Sequence, residues 1–304
     1  MEVLLGNFFH ALARNRVANR AAKKFGFKMG ARRFVAGISI ENAINAVKSL
    51  NSQGKMATMD HLGEFVASKE EAAAATTMCV ETLKAIAISG VDSNLSLKLT
   101  SLGLDVSKEI CISNLEIILA YASQQNIFVR IDMEDYAHYQ ITLDIYKQLK
   151  EKYDNFGLVM QAYLFRAEED SVDLNNYNTN LRIVKGAYKE SSTVAFESKQ
   201  DVDDNYIKLI KLHLLNGNYT AVASHDEKII NQVKEFIRQE NISNNQVEFQ
   251  MLYGISESLQ NQLVSEGYRV RVYVPYGVDW FGYFMRRLAE RPANVQFVIK
   301  NFFK

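Results

Sequence analysis

From about residue 55 onward, short runs of β-branched, aromatic and other apolar residues alternate with longer segments of helical period. The runs are KMATMDHL, NLSLKLTSL, IFVRIDME, LVMQAYLF, LRIVKGAY, YTAVASHD, VEFQMLYG and RVRVYVPYG. Strands and helices that alternate in this way build a parallel sheet, since each pair of parallel strands needs a crossover. The intervals leave room for a strand, a crossover helix and two loops in each unit, and eight units predict a closed (β/α)8 barrel rather than an open sheet. The segment EEAAAATTMCVETLKAIAISG has an acidic first turn and a glycine stop, and KIINQVKEFIRQEN places apolar residues at helical spacing. The eighth helix is then WFGYFMRRLAE, and residues 1–55, including SIENAINAVKSLNSQG, predict extra helices before the barrel at 56–304. No linker rich in Pro, Gly or Ser interrupts the chain, so 1–304 is expected to be one domain.

Composition narrows the class. The 304 residues are 48% hydrophobic and 23% charged, with 35 basic residues against 35 acidic ones, so no overall field favours nucleic acid. Cys79 and Cys111 fit neither a disulfide framework nor a metal spacing, and both are expected to be buried thiols in a reducing compartment. No apolar run approaches the roughly 18 to 20 residues of a membrane span. The one strong asymmetry lies before Ile40, where Glu2 is the only acid among Arg14, Arg16, Arg20, Lys23, Lys24, Lys28, Arg32 and Arg33. Such a stretch is a transit peptide, a basic helix on anionic lipid, or a solvated helical face. A start at Met1 argues against a leader; the solvated face is favoured over the lipid contact.

Chemistry in such barrels gathers at the C-terminal ends of the strands. The polar residues there are Asp60, His61 and Glu64 after the first strand, then Lys98, Asp132 with Glu134, Gln161, Arg182 with Lys185, Ser224 with His225 and Asp226, Gln250 and Tyr273. Lys98, Asp132 and Arg182 are costly to bury without partners. Each alone is more often a structural ion pair, whereas three on neighbouring strands point to a polar cavity for an anionic ligand or cofactor. His225 has His61 and Asp226 as conceivable co-ligands for a metal, but no HxH or HxxxH spacing, and a hydrogen-bonding role is favoured. There is no GxSxG elbow, no phosphate loop and no GxGxxG turn. Arg286 and Arg287 end the aromatic run YVPYGVDWFGYFMRR, and two guanidinium forks there suit a carboxylate lying across the helix end. Glu290, four and three residues on, is spaced to hold either arginine.

Taken in order, LSLKLTSLG, VRIDMED, MQAYL, LRIVKGAYKE, ASHD, FQMLYG and YVPYG followed by RRLAE resemble the proline dehydrogenase family, found alone or as the first module of bifunctional proline utilization proteins. The resemblance implies a distorted (β/α)8 TIM-like barrel, α/β in class, with its last helix over the mouth. It implies FAD as cofactor and L-proline as substrate, oxidised to Δ1-pyrroline-5-carboxylate. By matching position, Lys98, Arg286 and Arg287 bind the substrate carboxylate, Tyr273 packs on the ring, Asp132 shapes the site, and Arg182 sits beside the reactive edge of the flavin. Met133, Gln161, Lys185, Gly186, Ala187, Ser224 and His225 contact FAD, and Glu64 closes the site over the first arginine. Electrons are expected to pass to a membrane quinone from a cytoplasmic enzyme, for which the basic stretch is a candidate peripheral contact with the inner face of the membrane, and the product to a separate pyrroline-5-carboxylate dehydrogenase. Ser224 stands where threonine is commoner and Arg291 where asparagine is usual; neither change removes a reacting group. A Schiff-base lyase using Lys98 or Lys185 is the rival reading, and a ligand-binding barrel without catalysis the third.

Overall fold

The computed structural model describes residues 31–63 and 66–290, with side chains described through Arg287. All eight expected strands form: β1 (Met56–His61), β2 (Ser93–Leu97), β3 (Val129–Ile131), β4 (Phe156–Gln161), β5 (Leu181–Val184), β6 (Thr220–Ala223), β7 (Val247–Leu252) and β8 (Val270–Tyr276). They pair in parallel in sequence order, and β8 closes on β1 with Thr58 opposite Tyr273 and Asp60 opposite Pro275.

The helices that cover the barrel are α1 (Ile40–Asn51), α2 (Lys69–Ser89), α3 (Lys108–Gln124), α4 (Tyr136–Lys150), α5 (Ala167–Asn175), α6 (Lys199–Leu215), α7 (Glu227–Gln239) and α8 (Glu257–Ser265). Their starts are capped as the sequence directs. Ser68, Ser107, Asp135, Ser198 and Asp226 each accept a backbone N–H of the first turn, satisfying a donor that the helix itself leaves open. Gly90 ends α2 in the left-handed conformation, the expected glycine stop. In α7 the buried residues Ile229, Ile230, Val233, Phe236 and Ile237 recur at helical spacing and form the stripe that docks on the barrel.

α2 departs from expectation in one respect. It is 21 residues long with a stretch of mean hydropathy 1.2, enough to cross a membrane by length and composition. Alanines and scattered Met, Cys, Val, Leu and Ile residues raise that value rather than a solid apolar run, and the helix is the crossover between β1 and β2, burying Ala72, Thr76, Cys79, Leu83 and Ile86. Cys79 and Cys111 are both buried and free.

The last helix, α9 (Trp280–Glu290), does not flank the barrel wall as an ordinary eighth helix would. Its Trp280, Tyr283, Phe284 and Met285 pack with Leu62 just past β1, Ile255 just past β7, and Ala31, Phe34 and Val35; Tyr273 of β8 touches this cluster from inside. Leu62 and Ile255 lie just past the C-terminal ends of their strands, so α9 covers the mouth. The outer face of β8 and β1 is covered instead by α1. The extra helix SIENAINAVKSLN thus fills the wall position that α9 leaves.

Each strand sends its apolar residues outward against the helices, and by the period of two the alternate positions face inward. In most such barrels the interior is packed with layers of Val, Ile and Leu. Here the inward positions include Asp60, Ser96, Arg130, Arg182, Glu248, Gln250, Arg271 and Tyr273, nearly all buried. Their hydrogen bonds join strands that are not neighbours in the sheet, β5 with β7 and β5 with β2, and such bonds can run only through the interior.

Candidate active site at the barrel mouth

Asp132, one residue past β3, is the hub. Its Oδ1 accepts from Arg182 Nη1 at 2.6 Å and from Ser96 Oγ at 3.3 Å; its Oδ2 accepts from Tyr273 Oη at 2.8 Å and lies 3.6 Å from Lys98 Nζ. Asp60, at the end of β1, mirrors it: Oδ2 is 2.7 Å from Tyr273 Oη and 3.4 Å from Lys98 Nζ. Two carboxylates, a phenol and an ammonium therefore converge on one point. Burial, followed by the charges of Asp132 and Asp60, raises the Tyr273 phenol well above its ordinary pKa. Its proton therefore stays on the oxygen and is shared between the two carboxylates. Arg182 is oriented on three sides, by Asp132, by Ser96 at 3.1 Å and by Gln250 at 2.6 Å from Nε, with its guanidinium carbon 5.2 Å over the Tyr273 ring. Against Asp60 and Asp132 stand Lys98 and Arg182, so this inner cluster is balanced in formal charge.

Two further cations reach the mouth from α9. Trp280, Tyr283, Phe284 and Arg287 follow one another at i, i+3, i+4 and i+7, which puts Arg287 on the inward stripe, its guanidinium carbon 5.0 Å over the Tyr283 ring. Arg286 is one position, about 100°, around the helix. Both are partly exposed. The expected gate, Glu64, and the side chain of Glu290 lie outside the described residues.

A second flank of the mouth is built from β4 to β6. Gln161, buried at the end of β4, donates Nε2 to the carbonyl of Glu134 at 3.1 Å and approaches that of Met133 at 3.5 Å, while its buried Oε1 has no hydrogen-bond partner among the described residues. Lys185 lies between Asp203 and Asp226, 3.7 Å from the latter. Gly186 has φ of +122°, and a Cβ there would fall 2.4 Å from the Tyr163 ring, so only glycine lets the backbone lie on that ring. Ala187 is exposed beside it. Ser224 Oγ accepts the Asp226 amide at 3.1 Å, and His225 Nε2 accepts the Leu252 amide at 3.0 Å. An Nε2 that accepts places the proton of the neutral ring on Nδ1. His61 is separate from these groups, edge-on to Tyr276 at 5.2 Å.

Neither lysine has the surroundings of a Schiff-base former, which requires a neutral amine in an apolar or cationic pocket. Each sits beside two carboxylates. The sequence reading did not single out Ser96, nor the clamp that Thr100 makes on Glu134 through its amide at 3.1 Å and its hydroxyl at 2.5 Å. It also missed the lower charged layer of Arg130, Glu248 and Arg271. Alternation of charged and apolar residues in VEFQML and VRVYV was the available signal, because a strand covered by helices has nowhere but the barrel interior for its charges.

A family model described as proline dehydrogenase matches residues 43–300. The chain belongs to the proline dehydrogenase family. It is 52% identical over 301 residues to proline dehydrogenase 1 of Bacillus subtilis (strain 168), covering 99% of this chain and 100% of that one. It is 43% identical over 279 residues to the proline dehydrogenase of Deinococcus radiodurans, covering 90% of each. Among solved structures, proline utilization A from Bdellovibrio bacteriovorus, inactivated by N-propargylglycine, superposes with a TM-score of 0.82 at 29% identity, over 89% of this chain and 33% of that one. The proline dehydrogenase fold expected from the motifs, a barrel with its last helix over the mouth, is the one observed.

Proposed function

We propose that the chain, acting as a single domain, oxidises L-proline to Δ1-pyrroline-5-carboxylate with FAD held on the β4 to β6 flank. The observation that carries this reading is the paired arginines of α9, set on an aromatic face above a charge-balanced cluster inside the barrel. A zwitterionic amino acid suits that arrangement, with its carboxylate toward the arginines and its ring toward Tyr273. Arg286 and Arg287 grip the carboxylate with their forks, and Lys98, oriented by Asp60 and Asp132, adds a third cation. Trp280, Phe281 and Phe284 keep water out. Holding the ring in one pose contributes several kcal/mol, up to roughly 7 to 11 in ideal cases.

The residues of the second flank fit a flavin nucleotide. Gln161 Oε1 offers an unused acceptor to a ring N–H, and at Gly186 the backbone is bare of a side chain. Met133, Lys185, Ala187, Ser224 and His225 complete the set of residues assigned to the cofactor. When bound, FAD supplies the two-electron acceptor that the protein lacks. Arg182, fixed by Asp132, Ser96 and Gln250, provides the positive charge that favours the reduced cofactor. Asp132 holds Arg182 and Tyr273 in place and so shapes the substrate side.

Electrons leave to a membrane quinone, and a separate pyrroline-5-carboxylate dehydrogenase takes the product. For a cytoplasmic enzyme that hands electrons to a membrane, the basic stretch from Arg14 to Arg33, most of it outside the described residues, is the candidate peripheral contact, set against the solvated face that its charge alone favours. Anionic vesicles sedimented with wild type and with Arg14, Arg16 and Arg20 changed to glutamine test that contact. The central test is optical: purified protein is yellow and its flavin band bleaches when L-proline is added without oxygen. A colourless protein, or a band indifferent to proline, overturns the reading.

A further inference from the structure

Below the mouth, a chain of buried hydrogen bonds rises through the barrel, and its polarity is fixed from the bottom. Arg271 Nε donates to both carboxylate oxygens of Glu248 at 3.0 Å, and Tyr219 Oη donates to Oε2 at 2.7 Å. Burial opposes ionisation of Glu248, but Arg271, Tyr219 and Gln250 outweigh it and hold the group below its ordinary pKa, so it is a carboxylate and only accepts. Gln250 Nε2 donates to Glu248 Oε1 at 2.5 Å, and Gln250 Oε1 accepts from Arg182 Nε at 2.6 Å. Arg182 in turn donates to Asp132.

A glutamine amide can be turned end for end at little cost, unless its neighbours decide. Here they decide completely. A carboxylate below can only accept and a guanidinium above can only donate, so nitrogen must face Glu248 and oxygen must face Arg182. The reverse orientation sets acceptor against acceptor and donor against donor, each buried. We propose that Glu248 is a positioning residue for the oxidation: by fixing the amide of Gln250, it keeps Arg182 directed at the mouth. The proposal rests on the reading of Arg182 as the cation beside the bound flavin. Glu248 touches neither substrate nor cofactor; it acts two bonds away.

Glu248→Gln keeps the shape but removes the obligation, since an amide at 248 can present either end upward. In Gln250→Leu the relay is cut while the Glu248–Arg271 pair is left intact. The double exchange, Glu248→Gln with Gln250→Glu, returns an acceptor-only group beneath Arg182 with the same atoms and charge. In the holoenzyme, both single variants are expected to lose about tenfold or more in kcat, the size of one misplaced charge-assisted hydrogen bond. KM for proline should stay within about twofold, because the arginines of α9 are untouched. The flavin potential should become more negative, as the nearby cation is less well held. The double exchange should recover most of the loss. A readout free of turnover is the Arg182 Nε–H proton, identified by its disappearance in Arg182→Lys: slow to exchange with solvent in the wild type, fast in both single variants, slow again in the exchange.

If Glu248 merely neutralises Arg271, Glu248→Gln lowers thermal stability but leaves kcat, potential and Nε–H exchange unchanged, which sinks the proposal. A double exchange that restores nothing does the same. Should Glu248→Gln fail to fold, Gln250→Leu and the double exchange decide. An Arg182→Met variant with normal kcat and potential overturns both this proposal and the flavin-side reading of Arg182 beneath it.

Discussion

Lys98 and Lys185 both sit at the C-terminal end of a strand between two carboxylates, yet the two flanks of the mouth hold them by different means. The partners of Lys98 are Asp60 and Asp132, at strand ends inside the barrel, where the sheet register sets their positions. The partners of Lys185 are Asp203 and Asp226, one in the second turn of α6 and the other the N-cap of α7, with side chains 14% and 35% exposed. The first flank is a cluster in which each group fixes the others, with the Asp60 and Arg182 side chains only 3% and 6% exposed and Lys98 half as exposed as Lys185. The second couples its charge to helix termini and solvent, so its members can re-pair at small cost when an anion arrives. A rigid first flank and a more accommodating second flank follow from where the carboxylates are rooted.

The sharpest break of that contrast is Asp132→Ala. It strips the hub from Arg182, Lys98 and Tyr273 and is expected to cost about 3 to 5 kcal/mol in urea unfolding, the penalty of leaving buried charge uncompensated. Lys185→Ala on the other flank should cost only about 1 kcal/mol. Equal losses would show that the two flanks are held alike.

Next in size is Arg287→Met. The loss of one fork is expected to raise KM for proline about 30-fold or more while flavin content stays normal, since a desolvated charge contact is worth about 2 to 5 kcal/mol. Steady-state kinetics beside the visible spectrum check it, and loss of flavin with unchanged KM would move Arg287 to the cofactor flank.

Gly186→Val tests the cofactor flank itself. The positive φ and the Tyr163 ring make any side chain there strained, at about 1 to 3 kcal/mol. The expected outcome is protein that purifies with little flavin but unfolds within a few degrees of wild type. Full flavin loading would mean that the bare backbone at 186 is not part of the cradle.

The smallest effect belongs to His138, which ties the two flanking loops of the substrate side together, Nδ1 to Asp135 at 2.6 Å and Nε2 to Asp105 at 2.8 Å. Partial burial lowers its pKa, but the two aspartates raise it more, and the net shift is upward from 6.5. A pKa raised in the folded state means that the stabilisation is complete below about pH 6.5 and is lost as pH climbs through the folded value. The wild-type melting temperature should therefore fall over that interval, and His138→Gln should flatten the fall. An identical pH profile in the variant would remove His138 from the account.

The barrel was legible in the sequence because each strand has an apolar outer face and each crossover helix a stripe and a cap, all of them local features. Lys98, Asp132 and Arg182 stood out as charges in apolar runs, and the structure joins them in one cluster with Tyr273. Lys185 carried the same signature, but its partners come from two helices rather than from neighbouring strand ends, so nothing local separated its role from that of Lys98. The placement of α1 was equally hidden. An amphipathic helix announces that it will dock, and the vacancy that it docks into was created some 230 residues later, where α9 turns away from the wall. Glu248 and Arg271 were passed over for a different reason: in a packed barrel the lower interior is expected to be apolar, and this one is wired.

Because α1 and α9 divide between them the work that one helix does in an ordinary barrel, wall and roof are separate pieces of chain. Gly277, at φ +128° just before α9, supplies the joint. Lifting the roof would uncover Trp280, Tyr283 and Phe284 while β8 stayed sheltered by α1. A vessel whose cover is not also one of its staves can be opened as often as its contents change without springing a leak.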